Sequence, residues 1–195
     1  MGKRKSRITR VAALALTIVL ALPTMASAHC DTMEGPTVGD AKKAIETNNV
    51  NYVLKWVAPE NEKEISKVFK RTMKKREKNP ELQETADRYF FESVVQIHRE
   101  GEGATYEGLK EGIPMDEVVF AADKSIEIGN LSPLEGMVPQ EKMTELIDLF
   151  EKAMSLKDFD VNEVEAGREY IEAYVSFFEF AEGTEEPVAV RTILK

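Results

Sequence analysis

The sequence predicts an all-α protein, a helical bundle that follows an export signal. From about residue 36 onward, apolar residues recur at helical spacing in one segment after another, and no segment shows the alternation of a β-strand. Residues 37–103 and 115–183 also resemble each other, which predicts two pseudo-symmetric helical repeats packed as one domain. Chance similarity between amphipathic helices is the alternative explanation.

Residues 1–28 have the three parts of a secretory signal peptide. Five basic residues and no acidic ones lie in residues 2–10, an apolar run covers residues 11–22, and Ala26 and Ala28 stand at the small-residue positions of a cleavage site. The run of about 12 residues is shorter than the roughly 20 needed to cross a bilayer. We therefore expect cleavage after Ala28, export to the periplasm or the extracellular space, and no stable membrane anchor.

Cleavage would leave a strongly acidic chain. The formal net charge is −9, and loss of the five basic residues of the signal would change it to −14. A negative charge of this size disfavours nucleic acid and anionic lipid as partners. The sequence leaves a protein partner and an oligomer open.

Four helices are predicted in the first half, over residues 38–47, 50–57, 60–77 and 81–99. The third carries one buried stripe, formed by Ile65, Val68, Phe69, Thr72 and Met73. Pro80 opens the fourth, where its missing N–H costs nothing. In that helix we expect a broad buried face, made of Ala86, Tyr89, Phe90, Phe91, Val94, Val95, Ile97 and His98. Its polar strip is predicted to be Glu92, Gln96 and Arg99.

The glycine-rich segment 104–114 is the predicted connection between the repeats. Beyond it, residues 124–127 (KSIE) parallel residues 43–46 (KAIE) at an offset of 81 residues. With one residue deleted, the similarity continues into the last helix, where Ala166 and Arg168 parallel Ala86 and Arg88. The tail, residues 184–195, holds few core residues and is expected to fray.

His29 and Cys30 would be the first two residues of the mature chain. The new α-amine, the imidazole, and the amide and thiolate of Cys30 could close two chelate rings around one ion. Such a donor set suits Ni(II) or Cu(II), and the thiolate also suits Cu(I), whereas Zn(II) would need a tetrahedral set with ligands from elsewhere. Asp31, Glu34 and His98 are candidates to complete the site.

Cys30 is the only cysteine, so it cannot form an intramolecular disulfide. A metal ligand, an intermolecular cross-link and an inert buried thiol are the remaining roles. The second residue of a mature chain seldom lies deep in a core, which argues against the buried thiol.

The segment His29-Cys30-Asp31, followed by Gly35, resembles the N-terminal nickel hook of nickel superoxide dismutase. The resemblance implies nickel ligands at His29 and Cys30 and a supporting frame at Asp31 and Gly35. Glu34 stands where that family has its second cysteine. The similarity implies a metal site here, without the pair of thiolates that tunes the redox couple in the dismutases.

Over a longer stretch the chain resembles a family of exported bacterial proteins of unknown function. The similar segments are residues 29–36 (HCDTMEGP), 89–92 (YFFE), 97–99 (IHR), 101–103 (GEG), 106–110 and 167–175. This resemblance implies an all-helical exported protein and assigns no activity and no site.

Two functional hypotheses follow, and the sequence leaves open whether the protein is an enzyme. The first is an exported metalloprotein that binds nickel or copper through His29 and Cys30. The second is an exported helical binding or scaffold protein with no metal and no catalysis. His98, the only other histidine, could instead be an imidazolium at a helix end. Glu92 and Glu172 are interpreted as solvated glutamates rather than as paired carboxylates of a site.

Overall fold

The computed structural model describes residues 27–112 and 116–183, with side chains from His29 onward. Within these ranges all the regular elements are helices, with no β-strand and one isolated bridge between Thr32 and Lys110. The predicted all-α fold class is confirmed. The expected signal peptide, apart from its last two residues, and the expected fraying tail lie outside the described residues. No helix in the described ranges is long and apolar enough to span a bilayer.

The helices, in chain order, are α1 (Ser27–Cys30), α2 (Pro36–Thr47), α3 (Asn51–Leu54), α4 (Glu62–Lys78), α5 (Gln83–Gly101), α6 (Glu117–Ile128), α7 (Met143–Leu156) and α8 (Val164–Glu182). Short 3₁₀ turns occupy Pro59–Asn61, Pro80–Leu82, Ser132–Leu134 and Gln140–Lys142. The helix predicted over residues 50–57 is thus shorter than expected. Beyond Leu54 the chain continues in turns, in which the amides of Trp56 and Val57 bond to the carbonyls of Val53 and Leu54 at 3.1 and 3.3 Å. These turns end at Ala58, which Pro59 holds in an extended conformation with ψ at 151°.

Local signals account for several helix ends. Pro36 begins α2 at its first turn, and Asn48 ends it in the left-handed conformation with φ at 52°. The carboxylate of Asp116 accepts a hydrogen bond from the Val118 amide at 2.9 Å and so caps the start of α6. Gly129 ends α6 with φ at 75°, a conformation that glycine adopts without cost.

The buried apolar residues form two clusters, one in each half of the chain. The first cluster contains residues from all four helices α2, α3, α4 and α5, and its most buried members include Val38, Val53, Ile65, Phe90 and Val94. The second cluster contains residues from the three helices α6, α7 and α8 and from the turn after α6, and its most buried members include Leu134, Leu146, Ile171 and Phe177. Two residues from the first half, Cys30 and Trp56, belong to the second cluster. These two side chains therefore tie the halves together.

Arg168 of α8 makes a second connection between the halves. Its guanidinium donates to the carbonyls of Val57 and Leu54, at 3.1 and 3.3 Å, and to the carboxylate of Glu62 at 2.6 Å. The two carbonyls belong to the turn where α3 ends, so a buried arginine from the second half satisfies backbone groups of the first.

The helices of the second half follow the order of those in the first. The starts of α6, α7 and α8 each lie 81 residues after those of α2, α4 and α5. The order of the helices agrees with the expected repeat, but the start of α8 does not show the one-residue deletion expected there. The pseudo-symmetry of the two halves stays a prediction.

Two assignments on α5 were wrong. Tyr89, expected in the core, is 50% exposed, and Arg99, expected in the polar strip, is only 8% exposed. Arg99 is drawn inward by two carboxylates, with its Nε 3.5 Å from Asp31 and its Nη1 3.1 Å from Glu102. Helical periodicity identifies the apolar face of a helix, but it cannot show that a carboxylate elsewhere in the fold pairs with a basic residue at the edge of that face.

Candidate functional site

The segment that begins at His29 lies between the two halves. The Lys110 amide donates to the Asp31 carbonyl at 2.8 Å, and the Met33 amide donates to the Lys110 carbonyl at 3.0 Å. His29, Cys30 and Asp31 are all buried. The expectation that Cys30 would not lie deep in the protein was therefore wrong, because these bonds to the connecting segment hold the N-terminal residues in the core.

Gly35 allows this segment to turn back on itself. A Cβ atom at Gly35 would lie 2.2 Å from the His29 carbonyl oxygen and 3.0 Å from the Thr32 hydroxyl oxygen. The same carbonyl accepts hydrogen bonds from the hydroxyl and the amide of Thr32, at 3.1 and 3.4 Å. Only glycine fits at this point without moving the His29 backbone.

The imidazole of His29 is fixed by two contacts. Its ring stacks on Phe178 with the centroids 4.9 Å apart, and its Nε2 lies 2.9 Å from Asp123 Oδ2. The other oxygen of Asp123 accepts a hydrogen bond from the Tyr174 hydroxyl. Asp123 thus joins a residue of the N-terminal segment to α8.

Burial controls the chemistry of Cys30 and Asp31. Burial, and then the charge of Glu102, raise the pKa of the Cys30 thiol, so this thiol is neutral near pH 7. Burial also raises the pKa of Asp31, while the nearby Arg99 and Lys110 oppose that shift. The surroundings therefore favour a protonated thiol rather than a thiolate ligand.

His98 lies buried in the same region. Its Nδ1 donates to the Trp56 carbonyl at 2.8 Å, and its Nε2 lies 3.3 Å from Glu102 Oε1. Glu102 connects His98 to Asp31 through Arg99, which lies 3.1 Å from Glu102 and 3.5 Å from Asp31. His98 thus holds the turn after α3, a role that neither sequence interpretation included.

The structure brings together most of the predicted metal-site residues, but not as a ligand set. His29, Cys30, Asp31 and His98 are buried close to one another, whereas Glu34 is exposed. In the part of the chain that the structure describes, no three His, Cys, Asp or Glu side chains are placed to hold one ion.

A cleft of about 800 Å³ opens beside this cluster, between α2 and α3 on one side and α6 and α8 on the other. Its charged lining comprises four carboxylates and three lysines: Glu34, Asp40, Asp123, Glu127, Lys43, Lys55 and Lys157. Aromatic side chains supply much of the remaining wall, from Tyr52, Trp56, Phe159, Tyr170 and Tyr174. Large pockets with a few convergent polar groups are the usual form of small-molecule sites.

Lys55 is buried in the cleft wall together with its counter-ion. Its Nζ lies 2.9 Å from Asp40 Oδ2, and the same oxygen accepts a hydrogen bond from Trp56 Nε1 at 2.8 Å. The ammonium also lies 5.1 Å from the centre of the Phe159 ring. Gly167 makes room for this packing, because a Cβ there would lie 3.0 Å from both Lys55 Cβ and Phe159 Cε2.

Tyr170 lines the cleft and is affected by the charges of both Asp40 and Asp123. Burial, and then the charges of Asp40 and Asp123, raise its pKa to about 12. Burial and the charge of Asp123 likewise raise the pKa of Tyr174. Both phenols therefore remain neutral hydrogen-bond donors over the physiological range.

Sequence patterns did not predict this cleft. Asp40, Lys55 and Asp123 were assigned no role in the sequence analysis. One signal was available, since Tyr170 and Tyr174 are one helical turn apart and carry hydroxyl groups that a core position would have to satisfy.

The fold and these two regions define an all-α protein with a charged, aromatic cleft between two helical halves. The chain belongs to a family of unknown function (DUF6448), which it matches over residues 34–180. No curated protein and no solved structure matches it. The resemblance to an uncharacterised family is thus confirmed. The match starts at Glu34, after His29 and Cys30, and the similarity to the nickel hook stays a prediction.

Proposed function

We propose that the protein is a binding protein whose cleft between the helical halves takes a small organic amine with an aromatic or apolar face. The observation that carries this proposal is the buried charge in the cleft wall, where Lys55 and Asp40 pair inside an aromatic lining. Buried ion pairs contribute little to stability on balance, so their position in a large cleft favours a role in recognition.

The charges of the lining indicate the sign of the ligand. The lining carries four carboxylates against three lysines. Lys55 and Lys43 both pair with Asp40, at 2.9 and 3.6 Å, and Lys157 donates to the Ile126 carbonyl at 2.6 Å. Asp123 accepts from the Tyr174 hydroxyl and lies beside His29, with its side chain 32% exposed. An ammonium group is therefore the complement that Asp123 can bind. Tyr170 offers a ring face and a neutral hydroxyl beside it.

Trp56 provides a direct test, because it is the only tryptophan and it lines the cleft. Phenethylamine would be titrated against the purified protein while the Trp56 emission is recorded, with phenylacetate as the probe of opposite charge. We expect a saturable change with the amine and none with the acid. Equal responses to both probes, or no saturable response to the amine, would contradict the proposal.

Two matched variants sharpen this experiment. Asp123→Asn removes the charge at the proposed ammonium site and should weaken amine binding about tenfold or more. Asp148→Asn removes a carboxylate from the exposed face of α7 and should leave binding unchanged. Urea unfolding of both variants shows whether either loss comes from a weakened fold. Equal weakening by both would assign the effect to overall charge.

Metal binding by the mature N-terminus is the second candidate function, and one observation favours it. His29 Nε2 and His98 Nε2 are buried and lack an aligned hydrogen bond, although each has a carboxylate at ion-pair distance. Buried polar atoms of this kind are uncommon and ask for an explanation. Nickel or copper would use His29 and Cys30, with Asp31 or His98 as further donors and Glu34 only after a rearrangement.

The donor set fits such an ion only after two changes. The Cys30 thiol must lose a proton that its buried surroundings favour, and His29 must leave Asp123 if Nε2 is the ligand. Metal uptake should therefore release protons and alter the Trp56 emission. Because the new α-amine is one of the donors, this candidate also depends on the proposed export and on cleavage after Ala28.

Mass measurement of the protein from an exported fraction tests this second candidate. The denatured mass gives the mature N-terminus, and the native mass shows any bound metal. We expect a chain that starts at His29 with one nickel or copper ion, which Cys30→Ser would lose. A chain with another start, or one that takes up no metal at micromolar concentrations, would contradict it.

A further inference from the structure

The acidic charge of the protein is distributed very unevenly. Residues 117–183 carry 16 acidic and 5 basic residues, whereas residues 29–103 carry 14 acidic and 13 basic residues. Much of this difference lies in α4 (Glu62–Lys78), which has eight basic and three acidic residues. One helix of an acidic protein is thus strongly cationic.

The basic residues of α4 lie on its solvent side. Its buried residues Ile65, Val68, Phe69 and Thr72 face the core, while seven of the eight basic side chains are exposed. Of the eight basic residues of α4, only Arg76 forms an ion pair with another described residue, Asp87. Within the described ranges, the cationic face of α4 is therefore largely without neutralising carboxylates.

Five lysines of this face form a row along the helix. They recur at intervals of three or four residues, so they share one side of α4: Lys63, Lys67, Lys70, Lys74 and Lys78. At a rise of 1.5 Å per residue, the row extends over roughly 22 Å. We call these five residues the lysine row.

A pocket of about 370 Å³ lies at the C-terminal end of the row. Arg71, Lys74, Lys75 and Lys78 contribute to its lining, and no carboxylate does. Tyr89 of α5, half exposed, forms one wall, with Lys75 Nζ 5.9 Å from its ring centre. A pocket with four cationic side chains and an aromatic wall is suited to an anion.

We propose that the lysine row and this pocket bind a linear polyanion whose charges are phosphates. Lysine ammonium groups neutralise successive phosphates as point charges, and Arg71 can hold a phosphate with two parallel hydrogen bonds. The net negative charge of the whole chain does not prevent this, because the Debye length is about 8 Å at physiological ionic strength. The local charge of α4 decides the interaction.

Other partners fit this face less well. A membrane-bound helix inserts apolar side chains into the lipid, but those of α4 face the protein core. The acidic half of a second copy would meet α4 in a head-to-tail contact, which forms open chains unless the rotation happens to close. A flexible chain of phosphates can follow one helix without either requirement.

The test uses the full-length purified protein and medium-chain inorganic polyphosphate, with binding measured by calorimetry at several salt concentrations. We expect binding that weakens as salt increases. The triple variant Lys70→Gln, Lys74→Gln, Lys78→Gln should lose about tenfold or more in affinity. The slope of log K against log salt should decrease by about 2, as expected when three phosphate contacts are removed.

The control variant changes three lysines outside α4, Lys42→Gln, Lys124→Gln and Lys152→Gln, so that net charge falls equally. Its affinity should stay within about twofold of the original protein if the row is the site. Equal losses in the two variants would overturn the proposal in favour of overall charge. The proposal would also be overturned if polyphosphate did not bind. Binding of anionic vesicles instead would indicate a membrane partner, and salt-sensitive self-association in sedimentation would indicate a second copy of the chain.

Discussion

Replacing Gly35 with alanine tests the packing of the N-terminal segment. Gly35 has φ at −72° and ψ at 165°, an extended conformation that alanine adopts easily. The whole cost is therefore steric, because the new methyl group would lie 2.2 Å from the His29 carbonyl oxygen. That carbonyl must move by roughly 1 Å to restore an ordinary contact.

The expected loss can be added up from the contacts of His29. Its carbonyl accepts two hydrogen bonds from Thr32, each contributing about 0.5–1.5 kcal/mol. Its ring stacks on Phe178, a contact worth about 0.5–1.5 kcal/mol. If the shift breaks most of these contacts, Gly35→Ala lowers the free energy of unfolding by roughly 2–4 kcal/mol.

Urea unfolding followed by Trp56 emission measures this loss, with EDTA present so that no metal contributes. Gly39→Ala is the control, since a Cβ there would have no neighbour within 4 Å and the residue lies inside α2. This control should gain up to about 1 kcal/mol from higher helix propensity. A Gly35→Ala variant as stable as the original protein would refute the described packing.

Three further predictions concern other parts of the fold. Arg168→Lys loses the hydrogen bonds to the end of α3 and should cost about 2–4 kcal/mol in urea unfolding, whereas Arg88→Lys, at an exposed site, should leave the unfolding midpoint unchanged. Asp116→Ala removes the cap of α6 and should cost about 1 kcal/mol, most of which Asp116→Asn should restore. The raised pKa of Tyr170, about 12, stabilises the folded state fully below pH 10, and this contribution is lost as the pH rises to 12. Between pH 10 and pH 12, the free energy of unfolding of the Tyr170→Phe variant should therefore fall by about 2 kcal/mol less than that of the original protein, as measured by urea unfolding at each pH.

Periodicity and end signals in the sequence predict most of the helices. The stripe of Ile65, Val68 and Phe69 is buried as expected, since the spacing of apolar residues depends only on the geometry of a single helix. Tyr89 and Arg99 were placed wrongly because both lie at the edge of the apolar face of α5. At that edge, a neighbouring carboxylate or an open surface determines whether a side chain is buried, and the spacing of apolar residues gives no information about either.

For the N-terminal segment, the sequence identified the residues of the candidate site but not the contacts that hold them. The sequence identified His29, Cys30, Asp31 and His98 as residues of one candidate site, and the structure buries all four in one region. It could not show that Asp123 holds the His29 ring or that burial keeps the Cys30 thiol neutral. Both depend on residues far away in the chain.

The sequence by itself determined the helical class, the helix order and the uneven distribution of charge along the chain, because each of these is a property of consecutive residues. Only the tertiary structure decided that Trp56 packs into the core of the other half and that Asp40, Lys55 and Asp123 line one cleft. These residues come from separate helices and turns. The free energy that brings them together comes from packing whole helices against each other, which no local pattern records.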